Sequence, residues 1–211
     1  MILMEHATNL TEALHGKQLL IFDFDGTLAD TSQLHAAAFN EVLAPWGGVA
    51  HYPAIAGLRT HDALAKCFAT SGLNVSESQL EKLTIAKQAH VRKLIQKELR
   101  PLPGVDEFLR WARPRYRLAL YSSGSRGTVT LAMEKLGYMG WFDPMLCAED
   151  VVYAKPHPEG FLKVLAISCI EAERALVFED SDAGIEAAER AYLATSDVRV
   201  SPFFNPRAFK V

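Results

Sequence analysis

The chain has 211 residues, 49% of them hydrophobic and 22% charged, with a formal net charge of -3 at pH 7. That length fits one globular domain, or a core carrying a modest insertion, and without a block of like charges there is no basic surface for nucleic acid. Three scattered cysteines (Cys67, Cys147, Cys169) with no CxxC pair fit core packing in a reducing compartment, and with no signal-like start or membrane-length apolar run the expected location is the cytoplasm.

In chain order, the first strong element is Leu19-Leu20-Ile21-Phe22, an unbroken apolar run of the kind a parallel strand buried on both faces requires. It ends on Asp23-Phe24-Asp25-Gly26-Thr27-Leu28, where two carboxylates stand two residues apart and Gly26 permits a sharp turn. From 31 to 100 the pattern is helical, with no convincing strand: Thr31 to Leu43, Asp62 to Thr70, and Ser76 to Leu99. Ser76 and Gln79 have capping-box spacing at the start of the last of these. Pro101-Leu102-Pro103-Gly104 then punctuates the chain. Beyond it, helical stretches near 104–113, 125–137, 158–168 and 182–191 alternate with strand candidates Leu118–Tyr121, Met145–Cys147 and Ala175–Phe178. Such alternation predicts a doubly wound parallel α/β sheet built from residues 1–30 and 101–211. Residues 31–100 become an inserted α-helical cap above the carboxyl end of the first strand, where open α/β sheets bind ligands.

Four segments at predicted strand tips carry the chemistry. The Asp23/Asp25 tip and the tip Glu179-Asp180-Ser181-Asp182 would bring up to four carboxylates together. Two such charges ~4 Å apart repel by roughly 4 kcal/mol at an effective dielectric near 20, so the cluster calls for a cation, and an all-oxygen site suits Mg²⁺. Ser122-Ser123-Gly124-Ser125 offers hydroxyls and free amides before a helix, a natural anion site. Lys155-Pro156 adds a cation able to pair with phosphate or carboxylate. An aspartate among metal, anion donors and a lysine describes phosphoryl transfer.

Taken in order, these motifs resemble the haloacid dehalogenase superfamily: Asp23-x-Asp25-Gly26-Thr27-Leu28, a strand ending in Ser122, Lys155-Pro156, and Glu179-Asp180 with Ser181-x-Ala183-Gly184-Ile185. The resemblance runs from about Leu19 to Ala194. It implies Asp23 as nucleophile, Asp25 as general acid and then base, and Ser122, the amide of Ser123 and Lys155 as holders of the transferring phosphoryl group. It implies Mg²⁺ bound by the side chains of Asp23 and Asp180 and the backbone carbonyl of Asp25, with Glu179 a direct or water-mediated ligand. The insertion resembles the cap of the β-phosphoglucomutase-like branch. There His35 occupies the place of a histidine that contacts substrate near the reacting groups, and Gly57-Leu58-Arg59-Thr60-His61-Asp62 matches the cap loop that enters the site. In the mutase an arginine of that loop grips the phosphate that stays on the sugar; here that place holds Thr60, with Arg59 one residue earlier.

The pattern therefore resembles small phosphatases of sugar phosphates, of the fructose-1-phosphate or 6-phosphogluconate type, more than the mutase. The partner is then a small phosphorylated metabolite, with no nucleic acid and no membrane, and the protein a monomer or weak dimer. Two alternatives stay open: a phosphomutase, and a signalling domain phosphorylated on aspartate. Against the latter stand the acceptor's place on the first strand, the second acid two residues on, and the cap. Structural readings stand beside the functional ones: Ser122 and Ser123 could cap the next helix, Asp182 could favour a helix dipole, and Trp46, Trp111 and Trp141 could simply pack. Ala191-Tyr192-Leu193 has tyrosine where relatives usually have glycine after a helix, at about 1 kcal/mol if the left-handed geometry is kept. Ser201 to Val211, with Phe203 and Phe204, has no clear role.

Overall fold

The computed structural model describes residues 10–200. The tail from Ser201 to Val211 lies outside these residues.

A short helix α1 (Leu10–Leu14) precedes β1 (Leu19–Phe22), whose four side chains are all buried. After the insertion come α5 (Val105–Ala112), β2 (Arg117–Tyr121), α6 (Arg126–Leu136), β3 (Met145–Leu146), α7 (Glu159–Ser168), β4 (Ala175–Glu179), α8 (Asp182–Arg190) and β5 (Ala194–Asp197). The strands form one parallel sheet in the order β3-β2-β1-β4-β5. Central β1 has Leu20 opposite Leu118 of β2 and Leu176 of β4.

The side-chain period of two explains the continuous apolar run. Leu20 and Phe22 face one core with Phe108, Met133 and Phe178; Leu19 and Ile21 face the other with Tyr121, Phe161 and Ala187. Helix α5 covers the first face with Val105, Phe108, Leu109 and Ala112, all buried at helical spacing. Phe22 stacks on Phe178 with ring centroids 4.7 Å apart, and truncating such a ring to alanine costs about 3–5 kcal/mol.

Four strands were expected, and the structure has a fifth. Strand β5, Ala-Thr-Ser-Asp, carries no apolar run because it lies at the sheet edge; its pairing with β4 admits it. Strand β3 is two residues long, and Cys147 already begins the turn beyond it. Tyr192 keeps the left-handed conformation at φ 58°, with its N–H donating to Glu189 O (2.9 Å), so the chain does turn there as a glycine would.

The insertion consists of α2 (Ser32–Leu43), 3-10 turns at Ala44–Trp46 and Tyr52–Ala54, α3 (Thr60–Thr70) and α4 (Glu77–Glu98). It has its own core of Phe39, Leu43, Ile55, Leu64, Phe68 and Leu80, with Trp46 edge-on to Phe68. Both bonds of the Ser76–Gln79 capping box are present. The two chain crossings run side by side, with Asp30 N–H donating to Arg100 O and Leu102 N–H to Leu28 O, each at 3.1 Å. From these crossings the segment reaches back to the strand tips, with His35 beside Asp25 after β1 and Gly57 beside Ser181 after β4.

Candidate active site

Asp23 follows the last residue of β1, and its N–H donates to Phe178 O of β4 at 3.0 Å. The parallel register thus places Asp23 beside Glu179 and Asp180 at the tip of β4. Ligand atoms of these three carboxylates lie within 4.8 Å of one another. The turn after Asp23 needs glycine: Gly26 has φ +83°, and a Cβ there would stand 2.0 Å from Asp180 Oδ2. Thr27, not singled out by sequence, donates from Oγ1 to Asp180 Oδ1 at 3.3 Å.

Lys155 bridges the cluster. Its Nζ donates to Asp23 Oδ1 and Glu179 Oε1, each at 2.6 Å, and to Tyr121 O at 3.3 Å. The second oxygen of Glu179, Oε2, accepts the N–H groups of Asp180 (2.7 Å) and Ser181 (2.8 Å) and the Ser181 hydroxyl (3.1 Å). Both oxygens of Glu179 are therefore engaged, which anchors Lys155 against Asp23. Burial, then mutual repulsion among the acids, pushes Asp23 well above the usual carboxylate range despite the Lys155 charge. Burial and the Glu179 charge likewise push Asp180 up to about 7. Acids strained toward protonation in an all-oxygen cluster fit a divalent cation, which would stabilise their charged forms.

Ser122, fully buried at the end of β2, accepts the Gly124 N–H on Oγ at 3.0 Å. The Ser123 hydroxyl is buried without a partner among the described residues. Neither serine caps α6; Ser125 occupies that position. Asp25, half-buried, lies across from this loop: a Cβ on Gly124 would stand 3.6 Å from Asp25 Oδ2.

From the insertion, His35 of α2 brings Nε2 to 3.2 Å from Asp25 Oδ1. Its Nδ1 lies 2.8 Å from Nζ of Lys87 on α4, and that ammonium stands 4.3 Å over the Phe39 ring. Lys87 is only 1% exposed and was missed by sequence reading. A signal existed: Lys87 stands in the buried stripe Leu80, Lys87, Val91, Ile95, where an apolar residue belongs. Tyr52, also missed, packs 6.1 Å from the His35 ring, and burial followed by the Asp25 and Asp180 charges holds its phenol well above the ordinary value. Burial alone would raise Asp25, but the charge and hydrogen bond of His35, with Lys87 behind, bring it down to about 2. Burial and the Lys87 charge lower His35 in turn.

Arg59 is not aimed at the carboxylates. Its guanidinium donates to the carbonyls of Val152 (3.1 Å), Ala148 (2.8 Å) and Val151 in the core. Thr60 opens α3 and is half-buried. Asp182 pairs with Arg199 at 2.8 Å. Among the described residues no helix is long and apolar enough to cross a membrane.

Residues 20–198 match the family described as haloacid dehalogenase-like hydrolase. Fructose-1-phosphate phosphatase of Escherichia coli is 31% identical over 181 residues, covering 86% of this chain and 96% of the relative. A phosphorylated carbohydrates phosphatase of Thermotoga maritima is 30% identical over 178 residues, covering 82% and 81%. Among solved structures, CbbY from Rhodobacter sphaeroides in complex with phosphate is similar at TM-score 0.76 and 26% identity, covering 85% of this chain and 84% of that one. A β-phosphoglucomutase from Clostridium difficile, at TM-score 0.77 and 23% identity over 85% and 83% of the two chains, shares the fold.

Proposed function

The chain belongs to the haloacid dehalogenase-like hydrolases, and from that premise we propose that it is a Mg²⁺-dependent phosphatase of small sugar phosphates working through an aspartyl-phosphate. The observation that carries the reading is the convergence of Asp23, Glu179 and Asp180 within 4.8 Å, with Lys155 locked to two of them. The sugar-phosphate class is supported by the two relatives named as phosphatases of fructose 1-phosphate and of phosphorylated carbohydrates.

Asp23 and Asp180 would hold the ion by their side chains and Asp25 by its carbonyl, with Glu179 behind; when bound, the ion neutralises charge on the phosphoryl oxygens. Asp23 Oδ attacks phosphorus while the bond from phosphorus to the sugar oxygen breaks, and Asp25 passes a proton to that leaving oxygen. Lys155, the Ser122 hydroxyl and the Ser123 amide hold the phosphoryl group in line. Asp25 then takes a proton from water, whose oxygen attacks phosphorus; the Asp23–phosphorus bond breaks and inorganic phosphate leaves.

At about 2, Asp25 rests as the carboxylate the second step needs. The first step needs a proton on it. A phosphate dianion arriving beside Asp25 raises its proton affinity, and the chain from Lys87 through His35 lies in contact to deliver that proton. Mutase activity is disfavoured because Thr60 stands where the mutase has its gripping arginine and Arg59 is spent on the core.

Phosphate release from a panel of sugar phosphates tests the reading. Turnover is expected with Mg²⁺, lost with EDTA and lost in Asp23→Asn; activity surviving both changes would falsify it. In Asp25→Ala, phosphorylated protein should accumulate or fail to form, and normal turnover there would remove the acid/base role.

A further inference from the structure

The loop between α2 and α3 meets the core at two points. Gly57, at φ +77°, approaches Ser181 so closely that a Cβ would stand 2.3 Å from Oγ. Two residues on, the Arg59 guanidinium sits in a cup of three core carbonyls: Ala148, Val151 and Val152. The cup is braced from its other side. Glu159 accepts the N–H groups of Val152 (3.0 Å) and Tyr153 (2.8 Å), and Lys163 donates to Asp150 O at 2.9 Å. This braced stretch leads directly to Lys155, which holds Asp23. A guanidinium suits such a cup, because its donors spread in one rigid plane and it offers no acceptor. The guanidinium partners of Arg59 among the described residues are these carbonyls, so its charge is committed to backbone oxygens.

We propose that Arg59 is a positioning residue: a latch that holds the helical insertion closed over Asp23 and Asp25 by seating in the 148–152 carbonyl cup. The inference rests on the phosphatase reading and sharpens its substrate class. An arginine committed to the core does not serve a second phosphate, so the preferred ester is a monophosphate. Latch and grip differ in what they predict. A latch raises the closed fraction for every ester alike, whereas a grip rewards only an ester with a second phosphate.

Rates on a sugar monophosphate and the matching bisphosphate, measured with wild type, Arg59→Ala and Arg59→Lys, separate the two. The latch predicts a loss in kcat/KM of about 10–100-fold in Arg59→Ala, equal on both esters. KM carries most of it, since saturating ester pulls the insertion closed. Arg59→Lys recovers part of the loss, because one ammonium satisfies fewer of the carbonyls at once. A loss confined to the bisphosphate, or rates within twofold of wild type on both esters, overturns the proposal. Small-angle scattering without substrate reads closure directly: Arg59→Ala and, to a smaller degree, Arg59→Lys should be more expanded than wild type at unchanged circular dichroism. Equal radii of gyration overturn the latch. Because scattering needs no turnover, it judges the latch even if wild type hydrolyses none of the esters, an outcome that defeats the phosphatase reading alone.

Discussion

Lys155 in the α/β core and Lys87 in the helical insertion are both almost fully buried, at 2% and 1% exposure, yet their surroundings drive them apart. Burial acts to lower both. For Lys155 the charges of Asp23 and Glu179 more than offset it, and its pKa rises above the ordinary lysine value. Lys87 meets a histidine nitrogen and a phenyl ring, Asp25 compensates only in part, and its pKa falls to about 7. Burial sets the cost of a charge; the partner decides whether the charge persists. The core side of the site thus supplies a permanent cation beside Asp23. On the insertion side Lys87 contacts His35, which in turn contacts Asp25, and in the proposed mechanism that pair hands Asp25 its proton.

The largest effect that would break this contrast is expected from Lys155→Met. It strands two buried carboxylates, and removing one partner of a buried ion pair costs about 3–5 kcal/mol. Urea unfolding should show a clear fall in midpoint together with loss of turnover; an unchanged midpoint would remove Lys155 as the permanent countercharge.

Lys87→Met should act in the opposite sense on stability. The folded-state pKa lies near 7, below the ordinary lysine value of 10.5, so between those pH values the unfolded chain binds more protons and stability rises with pH. The penalty is therefore complete at and below pH 7. Lys87→Met should melt above wild type at pH 6.5, with the gap closing toward pH 10. Its turnover should nonetheless drop roughly 100-fold if the proton path matters. Because the Lys87 charge lowers both His35 and Asp25, the limbs of the pH–rate profile should move upward in the mutant. A mutant with wild-type turnover and unmoved limbs would leave Lys87 a packing residue.

Tyr52→Phe sharpens the insertion side further. The phenol lies beside His35, and we expect it to reach a sugar hydroxyl. Loss of one such neutral hydrogen bond costs about 1 kcal/mol, or about fivefold in KM with kcat held, and no change in KM would place the phenol outside the substrate's reach. The smallest effect on activity belongs to Tyr192→Gly, away from both regions. Relieving φ 58° at a residue that is 83% exposed should stabilise by about 1 kcal/mol and leave kcat unaltered. A loss of stability there would mean that the tyrosine side chain packs usefully.

The convergence of the candidate site was readable because its residues terminate apolar runs. Asp23, Ser122, Glu179 and Asp180 each sit at or just past the end of a buried parallel strand, where backbone register leaves little choice about their neighbours. The edge strand β5 was not readable, since Ala-Thr-Ser-Asp has neither an apolar run nor alternation and is recruited by its pairing to β4. On the insertion, Asp25's partner His35 could be suspected from the order of motifs, whereas Lys87 lies 52 residues beyond His35 and meets it only through the packing of α2 on α4.

Arg59 marks the boundary between the two kinds of information. Arg59 precedes α3 with non-helical backbone (φ -58°, ψ 148°) and Thr60 is its first helical residue, so which of the two turns toward substrate depends on how the loop seats against Ser181 and residues 148–152. Local pattern determined four of the five strands among the described residues, their acidic tips and the existence of a helical insertion, because period and turn chemistry act over a few residues. Tertiary structure alone decided the partners of Lys155, Lys87 and Arg59, on which the roles proposed for them rest. Burial and partner identity arise only when distant segments pack.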